Sequence, residues 1–143
     1  MILGVVGSEG AKFTKITGYL ARQAIREAYT RLKPSKVVSG GCHLGGIDIW
    51  AIQIAKKMGI PTEEFIPTRL CWSGPGGYAD RNLKIAASDY VICVTVKVLP
   101  ESYKSEWRFE TCYHCGDREP RHIKSGGCWT RWRCKAGELI IIE

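Results

Sequence analysis

No apolar run in this sequence is longer than a β-strand. A helix crossing a bilayer needs about 20 consecutive apolar residues, so a membrane-spanning helix is excluded. Low-complexity tracts are missing as well. Hydrophobic residues make up 45% of the 143 positions, enough for one domain, 1–143, with a buried core. The opening stretch MILGVVGSEG has neither the basic region nor the long apolar region of a secretion signal, which predicts a cytoplasmic protein. Acidic side chains are scarce. Fourteen Asp and Glu stand against 21 Lys and Arg, a net charge of +7 that favours an anionic partner. The imbalance is sharpest between Arg118 and Lys135, where Glu119 is the one acid among six basic residues.

Two nucleotide-binding signatures are also lacking. The first glycine loop reads GVVGSEG, a poor match to G-x-G-x-x-G, and no P-loop lysine follows a glycine-rich turn. A standard dehydrogenase or P-loop NTPase is thereby disfavoured. The seven cysteines are an odd number, and Cys42, Cys71 and Cys93 are scattered as core residues would be. This argues against a disulfide scaffold and for free thiols plus a metal site.

What is present is an alternation of strands and helices. Met1–Val6 is a β-branched apolar run that stops at a glycine loop, predicting a buried strand. Thr14 is placed to cap a helix with Ile16, Leu20, Ala24, Ile25 and Ala28 at helical spacing, ended by Pro34. Strands are predicted at 36–39, 64–67, 90–96 and 139–142, with helices at 47–58, 78–87 and 128–136. Apolar strands that alternate with helices predict an α/β domain whose mostly parallel sheet is covered on both faces. The stretch 97–127 is too long for a plain connection and should carry structure or a staple of its own.

Glycines fall where such sheets bind ligands, at the carboxyl ends of strands. Gly7, Gly40-Gly41 and Gly126-Gly127 each come just before a predicted helix. Glycine there lets backbone N–H groups approach an anion. These positions predict a phosphate-bearing ligand, with tight structural turns as the alternative. Ser8 belongs to the first of these loops.

The stretches VVSGGCHLGGIDIWAIQIAKKMGIP, YADRNLKIAASDYVICV and SGGCWTRWR, in that order, resemble the SLOG superfamily. That group includes the Lonely-guy phosphoribohydrolases, DNA-processing protein A and the YspA-like proteins. The resemblance covers most of the chain outside 97–124. It implies a Rossmann-like three-layer domain, a homodimer or higher homo-oligomer, and a nucleotide or nucleotide-derived ligand. Gly40, Gly41, Gly46 and Asp48 match the family's first glycine motif. Arg81, with Asn82 beside it, matches an arginine near the phosphate and the scissile ribose. Gly126, Gly127 and Thr130 match the second glycine motif. The activity implied is N-glycosidic cleavage of a nucleoside monophosphate, with Arg81 and Asp48 as the catalytic pair. Two departures stand out. Trp129 replaces a glycine of the second motif, and Arg133 occupies the place of the catalytic glutamate. Arginine cannot steady a ribosyl cation or activate water, which supports a nucleotide sensor without turnover as the second reading. A DNA- or RNA-binding protein using 118–135 with Trp129 and Trp132 is a third.

Other assignments stay open on residue type alone. Arg81 is either a ligand residue or a solvated arginine at a helix start. Asp48 either accepts a ribose hydroxyl or caps the following helix. Asn82 either binds ligand or caps a turn. Trp72 and Tyr78 either stack on a base or pack at the rim.

The insertion 97–124 and the following turn read CYHCGDREPRHIKSGGC over 112–128. Cys112 and Cys115 form C-x-x-C, with His122 and Cys128 downstream. Two thiolates on a turn, completed by an imidazole and a third thiolate, predict a structural zinc site that orders a loop poor in apolar residues. His114 and Cys134 are rival ligands. A redox C-x-x-C pair is the metal-free alternative. A catalytic zinc would need an open position and a nearby base such as Glu106 or Glu110.

Overall fold

The computed structural model describes residues 1–104 and 108–143; Glu106 lies outside them. Five strands form one sheet: β1 (Ile2–Gly7), β2 (Lys36–Ser39), β3 (Thr62–Glu64), β4 (Tyr90–Val96) and β5 (Gly137–Ile142). Four α-helices connect them: α1 (Lys15–Leu32), α2 (Ile47–Lys57), α3 (Tyr78–Ala86) and α4 (Gly126–Arg131). The sheet is wholly parallel, in the order β3-β2-β1-β4-β5. This is the α/β, Rossmann-like arrangement expected. The chain runs outward from β1 to β3, then returns across β1 to β4. That reversal opens a crevice at the carboxyl ends of β1 and β4, the place where such sheets bind ligands.

Side chains alternate across each strand, so one sheet supplies two cores. Leu3, Val5, Ile92 and Val94 pack with Ala21, Ile25, Ile47 and Ala51 of α1 and α2. Val6, Val91 and Cys93 point the other way, toward Ile85 of α3 and the thiols of Cys112, Cys115 and Cys128. The second core therefore contains sulfur where the first has hydrocarbon.

Thr14 caps α1 as expected. Its hydroxyl accepts the Thr17 N–H at 3.0 Å, and the Thr17 hydroxyl accepts the Thr14 N–H at 2.7 Å. The buried face differs from the expected one: Ile16 is 72% and Leu20 40% exposed. Ile25 and Ala28 are buried as expected, and Gly18, Ala21 and Tyr29 join them in place of Ile16 and Leu20; the Trp50 indole of α2 lies over Gly18, where a larger side chain would not fit.

Two further boundaries move for physical reasons. β3 was expected at 64–67 but pairs at Thr62–Glu64. Its partner β2 ends at Ser39, whose carbonyl takes a last bond from the Phe65 N–H. α4 begins at Gly126 rather than Cys128 because the Ser125 hydroxyl accepts the Gly127 N–H and starts it earlier. It stops at Arg131 because Gly137 must already pair with Val91. Between β4 and α4 the described residues hold one short 3-10 turn, Gly116–Arg118. The segment is tied to the sheet where the Ile123 N–H donates to the Val96 carbonyl.

Candidate functional site

A cleft of about 380 Å³ opens at the carboxyl end of β1, beneath α3 and α4. Gly7, Ser8, Asp48, Arg81, Asn82, Gly126, Gly127 and Thr130, the expected residues that border it, come from four separate segments. Gly40, Gly41 and Gly46 do not border it. Their roles are geometric. A Cβ on Gly40 would stand 2.2 Å from Arg81 Nη1 and 2.9 Å from Asp48 Oδ2. Gly46 has φ +82° and lies against the backbone of Ser8–Gly10. Gly41, at φ +59°, turns toward Ile66.

The centre of the cleft is an arginine–aspartate pair. Arg81 Nη1 donates to the Gly40 carbonyl at 2.6 Å, and Nε donates to Asn82 Oδ1 at 2.7 Å. Asp48 Oδ2 lies 3.9 Å from Arg81 Nη1 and accepts the Cys42 N–H at 3.2 Å. Asp48 is thus in the first turn of α2 but is not its cap; Gly46 holds that position. Burial pushes the Asp48 carboxyl up to about 6, against the opposing pull of Arg81 and the Cys42 N–H.

Two lysines also border the cleft; sequence reasoning placed Lys124 only within the basic stretch 118–135 and passed over Lys12. Lys12 Nζ donates to the Lys124 carbonyl at 3.2 Å, and both residues border the cleft, with the Lys124 ammonium 5.5 Å from the Phe109 ring centroid. Burial lowers the Lys12 ammonium, Glu9 opposes this, and the Lys124 charge adds to it. The available signal was positional: Lys12 ends the loop after β1, and Lys124 immediately precedes the second SGGC. Thr130 borders the same cleft, is fully buried, and its hydroxyl has no hydrogen-bond partner. Ser8 differs, because its hydroxyl bonds Thr95 Oγ1 at 2.8 Å and joins the ends of β1 and β4.

Gly127 has a steric reason to be glycine, and Gly126 does not. A Cβ on Gly127 would meet Gly7 N at 2.8 Å and Cys93 Sγ at 3.0 Å, whereas one on Gly126 would meet nothing within 4 Å. Trp72 and Tyr78 both line the cleft. Arg133 does not: it is exposed, stacked on Trp129 with Cζ 3.7 Å from the ring centroid.

The second candidate site lies against α4. Cys112, Cys115, His122 and Cys128 are all buried, and their ligand atoms lie within 4.8 Å of one another. This Cys₃His set has the composition and spacing to hold a metal ion. His122 Nδ1 lies 2.7 Å from the Ile123 carbonyl, a contact that places the proton on Nδ1 and frees Nε2, which faces Cys115 Sγ at 3.4 Å. The Trp132 indole N–H donates to Cys115 Sγ at 3.4 Å. Hydrogen bonding from Cys128 lowers the Cys112 thiol, which favours the thiolate form that a metal ligand needs. The rivals are placed elsewhere. Cys134 donates to the Ser88 carbonyl at 3.2 Å, and the His114 ring tilts against Tyr113 with centroids 4.4 Å apart. Glu110 is exposed and pairs with Arg108.

The two sites share α4: Cys128 belongs to the Cys₃His set, and Gly126, Gly127 and Thr130 to the cleft. Among the described residues no helix is long and apolar enough to cross a membrane. Comparison with protein-family models, curated proteins and solved structures finds no match for this chain.

Proposed function

We propose that this protein binds a phosphate-bearing, nucleotide-derived ligand in the cleft and holds a zinc ion in the Cys₃His cluster. The observation that carries the first part is the fully buried Thr130 hydroxyl, left without a partner on a cleft that two lysines also line. A buried hydroxyl without a partner costs roughly 1–3 kcal/mol. A phosphate oxygen would satisfy it and would answer the charges of Lys12 and Lys124. The SLOG resemblance of Gly126, Gly127 and Thr130 supports the same reading.

Zinc is favoured because three thiolates and one imidazole suit its borderline softness, and four protein ligands make a closed, structural site. Purified without chelator, the protein should carry about one zinc per chain by elemental analysis. Less than half an equivalent defeats the assignment.

A second reading rests on Asp48. A carboxylate whose proton affinity is raised toward neutrality, beside an arginine in a ligand cleft, is what N-glycosidic cleavage requires. It would take over the work of the glutamate that Arg133 replaces. In this reading Arg81 holds the phosphoribosyl group, and Asp48 steadies the ribosyl cation or activates water. Incubation with a panel of nucleoside monophosphates should release free base, and Asp48→Asn should abolish the release. Binding without release leaves the sensor reading.

A further inference from the structure

We infer that the ligand carries a planar aromatic base and that Trp72 is the surface on which this base stacks. The inference rests on the phosphate-binding reading of the same cleft and adds a second subsite to it.

Trp72 borders the cleft and is 47% exposed, although an indole is among the most apolar side chains. It is nevertheless held in place. The Trp129 ring meets it edge to face, with centroids 4.8 Å apart and planes at 82°. Trp129 is itself braced by the Arg133 guanidinium. The backbone is fixed too: the Ala79 N–H donates to the Trp72 carbonyl at 2.9 Å, and the Tyr78 N–H donates to the Cys71 carbonyl at 2.8 Å. These bonds use the first N–H groups of α3 and lock the Trp72 loop onto the helix that presents Arg81 and Asn82. The indole is thereby set in a fixed relation to the arginine. A pre-positioned aromatic surface loses little rotamer entropy on binding, which favours a flat partner. Every nucleobase offers a π-face, so stacking recognises the base class without selecting one base. Contact area orders the affinities: purine nucleotide, then pyrimidine nucleotide, then the base-free sugar phosphate.

The test uses the zinc-loaded full chain, titrated with adenosine 5′-monophosphate, cytidine 5′-monophosphate and ribose 5-phosphate. Trp72→Ala should weaken adenosine 5′-monophosphate about 5- to 150-fold, the span of base–aromatic stacking. It should leave ribose 5-phosphate within about twofold, and Trp72→Phe should restore most of the loss. Near-UV circular dichroism and retained ribose 5-phosphate affinity report that the variants fold. Equal losses for the nucleotide and the sugar phosphate overturn the inference, since Trp72 would then only shape the fold. Wild-type protein binding ribose 5-phosphate as tightly as the nucleotide overturns it as well, while leaving the phosphate reading intact. Failure of all three compounds to bind overturns both.

Discussion

Asp48 shows how a single residue sets stability against function. Its folded-state pKa of about 6 lies above the ordinary 3.8. The native state therefore holds the proton more tightly than the unfolded chain does. The stability contributed by the protonated form is complete below about pH 3.8 and is lost as pH rises toward 6. At neutral pH the buried carboxylate therefore costs stability, on the order of a few kcal/mol. Asp48→Asn should therefore raise the urea midpoint at pH 7, with the gain shrinking as pH falls from 6 to 4, while ligand binding weakens. A variant equally destabilised at both pH values would show that Asp48 is structural. Gly40 makes the complementary case. Gly40→Ala puts a methyl where the Arg81 guanidinium lies, so affinity for nucleoside monophosphates should fall at least tenfold with the zinc content unchanged. Gly126→Ala meets open space and should leave the melting temperature within about 2 °C.

At the scale of elements, α4 is the link between the two sites. It is only six residues long and lies too near the chain's return to β5 to be stable by itself. Cys128 anchors it to the Cys₃His cluster, and its fully buried side chain also meets Cys93 of β4, with sulfurs 3.7 Å apart. Cys128→Ser should lower the zinc content below half an equivalent and weaken ligand binding together, because Gly126, Gly127 and Thr130 lose their support. Cys42→Ser should leave zinc untouched, since Cys42 lies in the other glycine loop, where its N–H meets Asp48. Loss of zinc in Cys128→Ser with ligand affinity unchanged would separate the sites.

For the whole molecule, the basic surplus is less available to a polyanion than its density suggests. Arg131 pairs with Glu119 at 3.1 Å, and Lys135 with Asp89 at 3.4 Å. Arg118 and Arg131 both stack on Trp132, Arg133 covers Trp129, and Arg121 donates to Thr111. The Lys124 ammonium lies over the Phe109 and Tyr113 rings, 5.5 and 5.8 Å from their centroids. A 12-nucleotide single strand should accordingly bind no more tightly than a mononucleotide, with a shallow dependence on salt. Tight oligonucleotide binding that falls steeply with salt would instead assign the basic strip to nucleic acid.

Much of this was legible in residue order. Apolar β-branched runs specified the parallel sheet, since strands buried on both faces cannot alternate with polar residues. The spacing of Cys112, Cys115, His122 and Cys128 pointed to a set that could hold a metal, because a turn can bring such neighbours together, but His114 and Cys134 were set aside only by the fold. Distances across the chain were another matter. Nothing in the sequence brings Lys12 to Lys124, or Trp72 to Trp129; these pairs form only because β4 returns beside β1 and draws their loops to one edge. The burial of Ile16 and Leu20 was misjudged for the same reason: helical spacing defines a stripe, but Trp50 on another helix decides which stripe faces inward. Local chemistry was therefore fixed by sequence, while the tertiary structure decided which of those groups share one cleft, because the crossing of the sheet is a long-range event that no short window contains.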